Sequence, residues 1–118
     1  RVIAGKLKGR ALAKPNSKTI RPTSNIVKEA LFSIVSNYKD ITDSDFIDIF
    51  AGTGAIGIEA ISRGAKSATF VDNSQKAIDL INKNLKGSNV QAQIVCANAL
   101  NLKALDKRYD IAFFDPPR

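Results

Sequence analysis

Phe46-Ile47-Asp48-Ile49-Phe50-Ala51-Gly52-Thr53-Gly54-Ala55-Ile56-Gly57 is the stretch whose reading decides the fold. A short apolar run interrupted by one acid reads as a strand, and it passes without a linker into three glycines spaced G-x-G-x-x-G. The residues after them read as a short helix closed by Gly64. Glycines at these places let backbone N–H groups approach a ligand beside the positive end of a helix dipole. Downstream, Ser67 to Val71 is a second strand ending in Asp72, and Asn73 or Ser74 caps a helix with apolar positions Ala77, Ile78, Ile81 and Leu85, stopped by Gly87. Val90 to Cys96 is a third strand, Asn98 to Leu105 a loop with a helical turn, and Tyr109 to Phe114 a fourth strand. Strands alternating with helices predict an α/β, Rossmann-like fold: a parallel sheet with helices on both faces.

Upstream, Thr23, Ser24 and Asn25 are N-cap types, and a helix is expected from there to about Asn37. Ile26, Ala30 and Ile34, beside Val27, Leu31 and Val35, recur at i+4 and predict its buried face. Tyr38 to Asp45 is a polar connection, and Thr19 to Pro22 reads as extended. Residues 1–28 carry eight basic side chains and no acid, whereas residues 29–118 carry ten basic and eleven acidic ones, so the net charge of +7 belongs to the N-terminal arm. Val2, Ile3, Leu7, Ala11 and Leu12 are interleaved with those charges, and Gly5 and Gly9 suit turns; the arm is therefore expected to be a basic β-ribbon that meets phosphates. The chain divides into this arm, residues 1–22, and an α/β domain, residues 23–118.

Composition excludes several chemistries. The 118 residues contain no histidine, which removes a Ser-His-Asp triad, a Cys-His pair and a His-ligated metal; no metal is expected. The one cysteine, Cys96, rules out an internal disulfide, fits a reducing cytoplasm and reads as a buried strand thiol without a role. No apolar run approaches the roughly 20 residues of a membrane span. A cytoplasmic monomer that does not engage a membrane is expected.

Two sets of residues carry chemistry. Asp72, twenty residues past Gly52 at the end of the next strand, is placed to accept from ribose hydroxyls. That pattern suits NAD and S-adenosylmethionine alike; Asp48 within the first strand favours the latter, because a carboxylate suits a cationic amino-acid moiety better than a pyrophosphate. The second set is Asp115-Pro116-Pro117 at the end of the fourth strand. The prolines fix φ and withdraw two donors. They leave a stiff turn with a carboxylate and the Pro116 carbonyl as acceptors, suited to gripping a planar NH2 group such as the exocyclic amine of a nucleobase. A DNA adenine-N6 or cytosine-N4 methyltransferase has the same need. An NAD-dependent oxidoreductase and a non-catalytic RNA-binding module are also compatible with these residues.

The runs Arg1-Val2-Ile3-Ala4-Gly5-Lys6-Leu7-Lys8-Gly9-Arg10, Arg21-Pro22-Thr23, Lys28-Glu29-Ala30-Leu31-Phe32, Asp48 to Ala60 and Ser62-Arg63-Gly64-Ala65 resemble, in order, the bacterial RsmD family. These are 16S ribosomal RNA guanine-N2 methyltransferases that use S-adenosylmethionine and release S-adenosylhomocysteine. The resemblance implies a class I methyltransferase fold acting on one guanine amine in small-subunit rRNA or its assembly intermediate. It implies that Asp48 and the backbone of Phe50, Ala51, Gly52, Thr53 and Gly54 hold the methionine part, that Asp72 takes the ribose hydroxyls, and that Asn73, Asn98 and Ala99 lie at the adenine. It assigns Asp115, Pro116 and Pro117 to the target amine; Lys6, Lys8, Arg10 and Arg21 are the basic residues whose charge is expected to meet RNA. The chain departs from the family at Asn98, where an aspartate is usual, at Asn25-Ile26, where Asp-Arg is typical, and at Arg118, where a tyrosine or phenylalanine stacks on the base. A sheet ending at the fourth strand exposes an apolar edge, so further C-terminal strands beyond this sequence are expected.

Overall fold

The computed structural model describes residues 1–13, 24–98 and 108–114. Four strands, β1 (Asp45–Ile49), β2 (Ser67–Asp72), β3 (Ala92–Cys96) and β4 (Ile111–Phe114), form one parallel sheet in the order β3-β2-β1-β4. Among the described residues three helices accompany them: α1 (Asn25–Tyr38), α2 (Ala55–Ser62) and α3 (Gln75–Leu85). The strand order reverses between β1 and β4, the switch point beside which open α/β sheets bind their ligands. β1 starts and stops one residue earlier than the sequence suggests, because Phe50 takes φ +67° and leaves the strand.

The register places Phe46 beside Ala68 and Ile111, and Asp48 beside Phe70 and Phe113. Side chains at paired positions share a face, and all three helices pack on this one. Phe32 of α1 stacks on Phe46 with ring centroids 6.4 Å apart. Ile58 and Ile61 of α2 and Ile81 of α3 cluster with Ala68 and Phe70. On the opposite face Ile47, Thr69 and Val71 are buried, and the Tyr109 hydroxyl donates to Thr69 Oγ1 at 3.0 Å. A helical layer over that face is not among the described residues.

Local chemistry sets the helix ends as expected. Ser24 Oγ accepts from Val27 N–H and Ser74 Oγ from Ala77 N–H. At the end of α2, Ala65 N–H returns to Ala60 C=O and Gly64 N–H to Ile61 C=O, with Gly64 at φ +117°. This is the six-to-one, five-to-two pairing of a Schellman cap. The buried face of α1 differs from the expected one. Lys28 and Phe32 are buried with Leu31 and Val35 half-buried, while Ile26, at 82% exposure, Val27, Ala30 and Ile34 point outward. Both ridges of this helix are apolar enough to face inward. The choice falls to tertiary partners: Phe46 under Phe32, Arg63 over the Phe32 ring at 4.9 Å, and Glu59 near Lys28.

The arm also departs from expectation. Residues 1–13 contain no strand. Val2 N–H bonds to Arg10 C=O and Gly9 N–H to Val2 C=O, closing a tight loop with turn bonds from Lys8 N–H to Gly5 C=O and from Arg10 N–H to Leu7 C=O, and further bonds go to the helices. Ile3 and Ala4 N–H donate to the Glu59 carboxylate at 2.9 and 3.1 Å, Lys6 N–H to Ser62 C=O, and Leu7 N–H to Ser62 Oγ. Gly5, at φ +88°, lies so close to α2 that a Cβ there would sit 1.7 Å from the Ser62 carbonyl oxygen. Glu59 is fully buried, with Arg63 Nε at 2.8 Å and Lys28 Nζ at 3.6 Å. A ribbon would satisfy its own backbone; this arm satisfies much of it on α2. Cys96, expected to be buried, is exposed because β3 is an edge strand. The readings for Thr19 to Pro22 and for Ala99 to Leu105 lie outside the described residues, and no described helix is long and apolar enough to cross a membrane.

Candidate functional site

The loop from Phe50 to Gly54 leaves β1 at the switch point and is fixed from three sides. Phe50 and Ala51 N–H both reach Val71 C=O, at 2.9 and 3.0 Å. Phe50, Gly52 and Gly54 have φ of +67°, +57° and +82°. For a phenylalanine that conformation costs about 1–3 kcal/mol and persists only where surroundings impose it; here the ring is held edge-on to Phe114 at 5.2 Å. Such strain concentrates at ligand sites.

Asp72 ties this loop to the next. Its Oδ2 accepts from Gly52 N–H at 3.0 Å and its Oδ1 from Ser74 N–H at 2.9 Å, while its carbonyl accepts from Ala97 N–H. The loops after β1, β2 and β3 therefore converge on one residue. Each carboxylate oxygen accepts a second bond, so this holding role leaves acceptor capacity for ligand hydroxyls. Asp48 is buried at 1% exposure near the end of β1. Asn73 and Asn98 are exposed just past the ends of β2 and β3. Behind the loop, Gly57 packs directly on Phe70, where an added Cβ would lie 2.3 Å from the ring. Behind Gly54 stands Ile81, 3.1 Å from where a Cβ would be.

The structure thus brings together Asp48, Phe50, Ala51, Gly52, Thr53, Gly54, Asp72, Asn73 and Asn98 at the C-terminal ends of the strands. Ala99, Arg21 and the Asp115-Pro116-Pro117 turn lie outside the described residues; Phe114, which precedes that turn, ends β4 in register with Ile49. Lys6 and Lys8 are exposed on the arm. Arg10 differs: Nε donates to Asn84 C=O at 3.2 Å and Nη2 to Lys86 C=O, a cation on the carbonyl end of α3 that anchors the arm.

Three residues were missed by sequence reasoning. Glu59 is signalled only by an acid standing among Ile56, Ile58 and Ile61. Burial raises its pKa, but bonds from Ile3 N–H, Arg63 and Ala4 N–H outweigh this and hold it below the ordinary glutamate value. Lys28 sits on the inward ridge of α1; burial lowers its pKa and the Glu59 carboxylate offsets this only in part. Asn84, 3% exposed, stands on the apolar face of α3 one turn past Ile81. Among the described residues no group of three His, Cys, Asp or Glu side chains is placed to hold a metal ion.

Strand order, helix placement and the glycine loop define a Rossmann-like α/β domain of the class I methyltransferase type. A family model described as conserved hypothetical protein 95 matches residues 1–118. The chain belongs to this family, the RsmD family, whose curated relatives carry the name ribosomal RNA small subunit methyltransferase D. It is 43% identical to the protein of that name from Buchnera aphidicola subsp. Baizongia pistaciae over 118 residues, covering 98% of this chain and 60% of the relative. Against that of Escherichia coli K12 it is 38% identical over 121 residues, covering 99% and 59%. A solved Escherichia coli structure, provisionally described as a methyltransferase, superposes with a TM-score of 0.83 at 35% identity, covering 99% of this chain and 63% of that one. The chain spans about 60% of the length of the curated relatives it matches.

Proposed function

We propose that the protein is an enzyme that methylates the exocyclic N2 amine of a guanine in small-subunit ribosomal RNA, with S-adenosylmethionine as methyl donor. The observation that carries this reading is the strained glycine loop at the switch point, flanked by the carboxylates of Asp48 and Asp72, in a chain of this family. Two carboxylates suit a ligand with an ammonium group and vicinal hydroxyls; a pyrophosphate would meet repulsion there. The residues present therefore fit S-adenosylmethionine. When bound, it supplies a methyl group on a positively charged sulfur.

The chain's own residues do the rest. Asp48 and the backbone of Phe50 to Gly54 hold the amino-acid end, Asp72 the ribose hydroxyls, and Asn73 with Asn98 and Ala99 border the adenine; Asn98 accepts through its amide oxygen. Asp115 and the Pro116 carbonyl accept from the guanine NH2. Those two bonds favour a more tetrahedral nitrogen and aim its lone pair, which is otherwise delocalised into the ring. Positioning and fixed dipoles supply most of the acceleration. Extruding the base costs a few kcal/mol, offset by phosphate contacts from Lys6, Lys8 and Arg21. Binding is accordingly salt-dependent. Arg118 offers a guanidinium plane where relatives of this family stack an aromatic ring, a weaker substitute for stacking worth about 1–3 kcal/mol.

Calorimetric titration separates the cofactor classes. S-adenosylhomocysteine binding without NADH binding supports the assignment, and the reverse overturns it. With the wild-type chain active, Asp115→Ala is expected to abolish methyl transfer to small subunits; unchanged transfer would remove Asp115 from the site.

A further inference from the structure

Asn84 joins two parts of the molecule that the proposed reaction uses separately. Its Oδ1 accepts from Ala13 N–H of the arm at 2.6 Å, and its Nδ2 donates to Thr53 C=O of the glycine loop at 2.9 Å. The two partners fix the amide's orientation, since an N–H can only donate and a carbonyl can only accept. The Asn84 main-chain carbonyl takes Arg10 Nε as well. Thr53 lies between Gly52 and Gly54, both at positive φ, so its carbonyl is the point at which this strained segment is held from behind. Ile81, one turn earlier on α3, backs Gly54. Among the side chains that can occupy this place, aspartate lacks the donor, serine lacks the reach for both partners, and glutamine is one methylene too long for a fully packed site.

We propose that Asn84 is the positioning residue that sets the glycine loop from the arm, so that RNA engagement by the arm and cofactor binding by the loop are thermodynamically linked. The inference rests on the function proposed above. One planar amide, buried at 3% exposure, has both its oxygen and its nitrogen bonded only when arm and loop are both in place. Displacing the arm strips Oδ1 of its partner and frees the amide to turn away from Thr53. A ligand that orders the arm therefore removes part of the ordering cost of the second ligand. The expected linkage is positive and, for equilibrium affinities, reciprocal.

The test is calorimetric titration of S-adenosylhomocysteine into the full chain, with and without saturating small subunits that lack the modification, and the converse titration of those subunits as the RNA ligand. In the wild type each ligand is expected to raise the affinity of the other by the same factor, about fivefold or more, the worth of one hydrogen bond. Ala13→Pro removes the arm-side donor and also fixes the local backbone. Because Oδ1 then lacks its partner, cofactor affinity without RNA is expected to fall, and adding RNA is expected to bring no gain, so the coupling factor falls to about one. Asn84→Asp keeps the acceptor and loses the donor, so cofactor affinity without RNA is expected to fall about fivefold. A merely structural residue would lower Tm and leave the coupling factor alone. Wild-type coupling in Ala13→Pro, or no coupling in a wild type that binds both ligands, overturns the proposal while leaving the function intact. Absence of binding of either ligand by the wild type overturns the function itself, and this inference with it.

Discussion

Adding one methyl group at Gly57 tests how α2 is seated on the sheet. A Cβ there would lie 2.3, 2.8 and 3.1 Å from three atoms of the Phe70 ring. Comfortable carbon contacts begin near 3.5 Å, so the gap must open by roughly 1.2 Å. The ring has nowhere to go: Phe70 is fully buried, and Val2, Ile58, Ile61, Ala68 and Ile81 are in its cluster. Overpacking of this kind costs about 1–3 kcal/mol, and an overlap with three atoms belongs at the upper end. Replacing a helical glycine with alanine returns about 1 kcal/mol, leaving Gly57→Ala destabilised by about 2 kcal/mol. At roughly 4 °C per kcal/mol for a domain of this size, Tm falls by about 8 °C. Gly87→Ala is the control. Gly87 has φ +78° and open space around it, so only the backbone cost of about 1–2 kcal/mol applies. Urea and thermal unfolding of both variants give the comparison. A Gly57→Ala protein as stable as the wild type would show that α2 does not lie on Phe70 as described.

Three further outcomes follow from the buried charges and the loop clamp. Glu59→Gln leaves Ile3, Ala4 and Arg63 donors facing a neutral amide, and about 3 kcal/mol of stability is expected to go. Because the folded state holds Glu59 below its ordinary value of 4.5, its contribution is complete above that pH and is lost as pH falls through the folded value. Urea midpoints measured on the acid side should drop in the wild type and flatten in the variant. Lys28→Met keeps the packed stem and removes a charge whose burial outweighs its attraction to Glu59; stability within about 1 kcal/mol of wild type, or above it, is expected from denaturation, and a loss of about 3 kcal/mol would refute that balance. Asp72→Asn turns an NH2 toward either Gly52 or Ser74 N–H. Losing one bond to a charged acceptor, about 1.5–3 kcal/mol, should weaken S-adenosylhomocysteine at least tenfold by calorimetry, whereas unaltered affinity would detach the clamp from the site.

The βαβ core was legible because each element carries its own signal: apolar strands, Ser24 and Ser74 as caps, Gly64 and Gly87 as stops, and glycines at fixed spacing after β1. Local chemistry narrowed the caps to Thr23, Ser24 or Asn25 and to Asn73 or Ser74, and the parallel sheet followed from the alternation of strands and helices. What escaped has long-range causes. The arm takes its partners from Glu59 and Ser62, more than fifty residues away, and interleaved charge and apolarity cannot tell that from a ribbon. α1 has two apolar ridges, and Phe46 with Arg63 selects the one that carries a lysine. Asn84 is, in sequence, a polar interruption of an apolar face; only the fold puts Thr53 and Ala13 on either side of it. Cys96 follows a strand pattern that does not reveal its place at the edge of the sheet. In the site, Asp72 reads as a ligand acceptor; that two loop amides also use it depends on where the glycine turn closes.

The central claim is settled most directly by incubating the full-length protein with small subunits lacking the modification and with methyl-labelled S-adenosylmethionine, then mapping the labelled nucleotide. The account predicts label on the N2 amine of a single guanine of the small-subunit rRNA. Label on a ring nitrogen, on a ribose or on DNA, or binding of both ligands with no transfer, would contradict it.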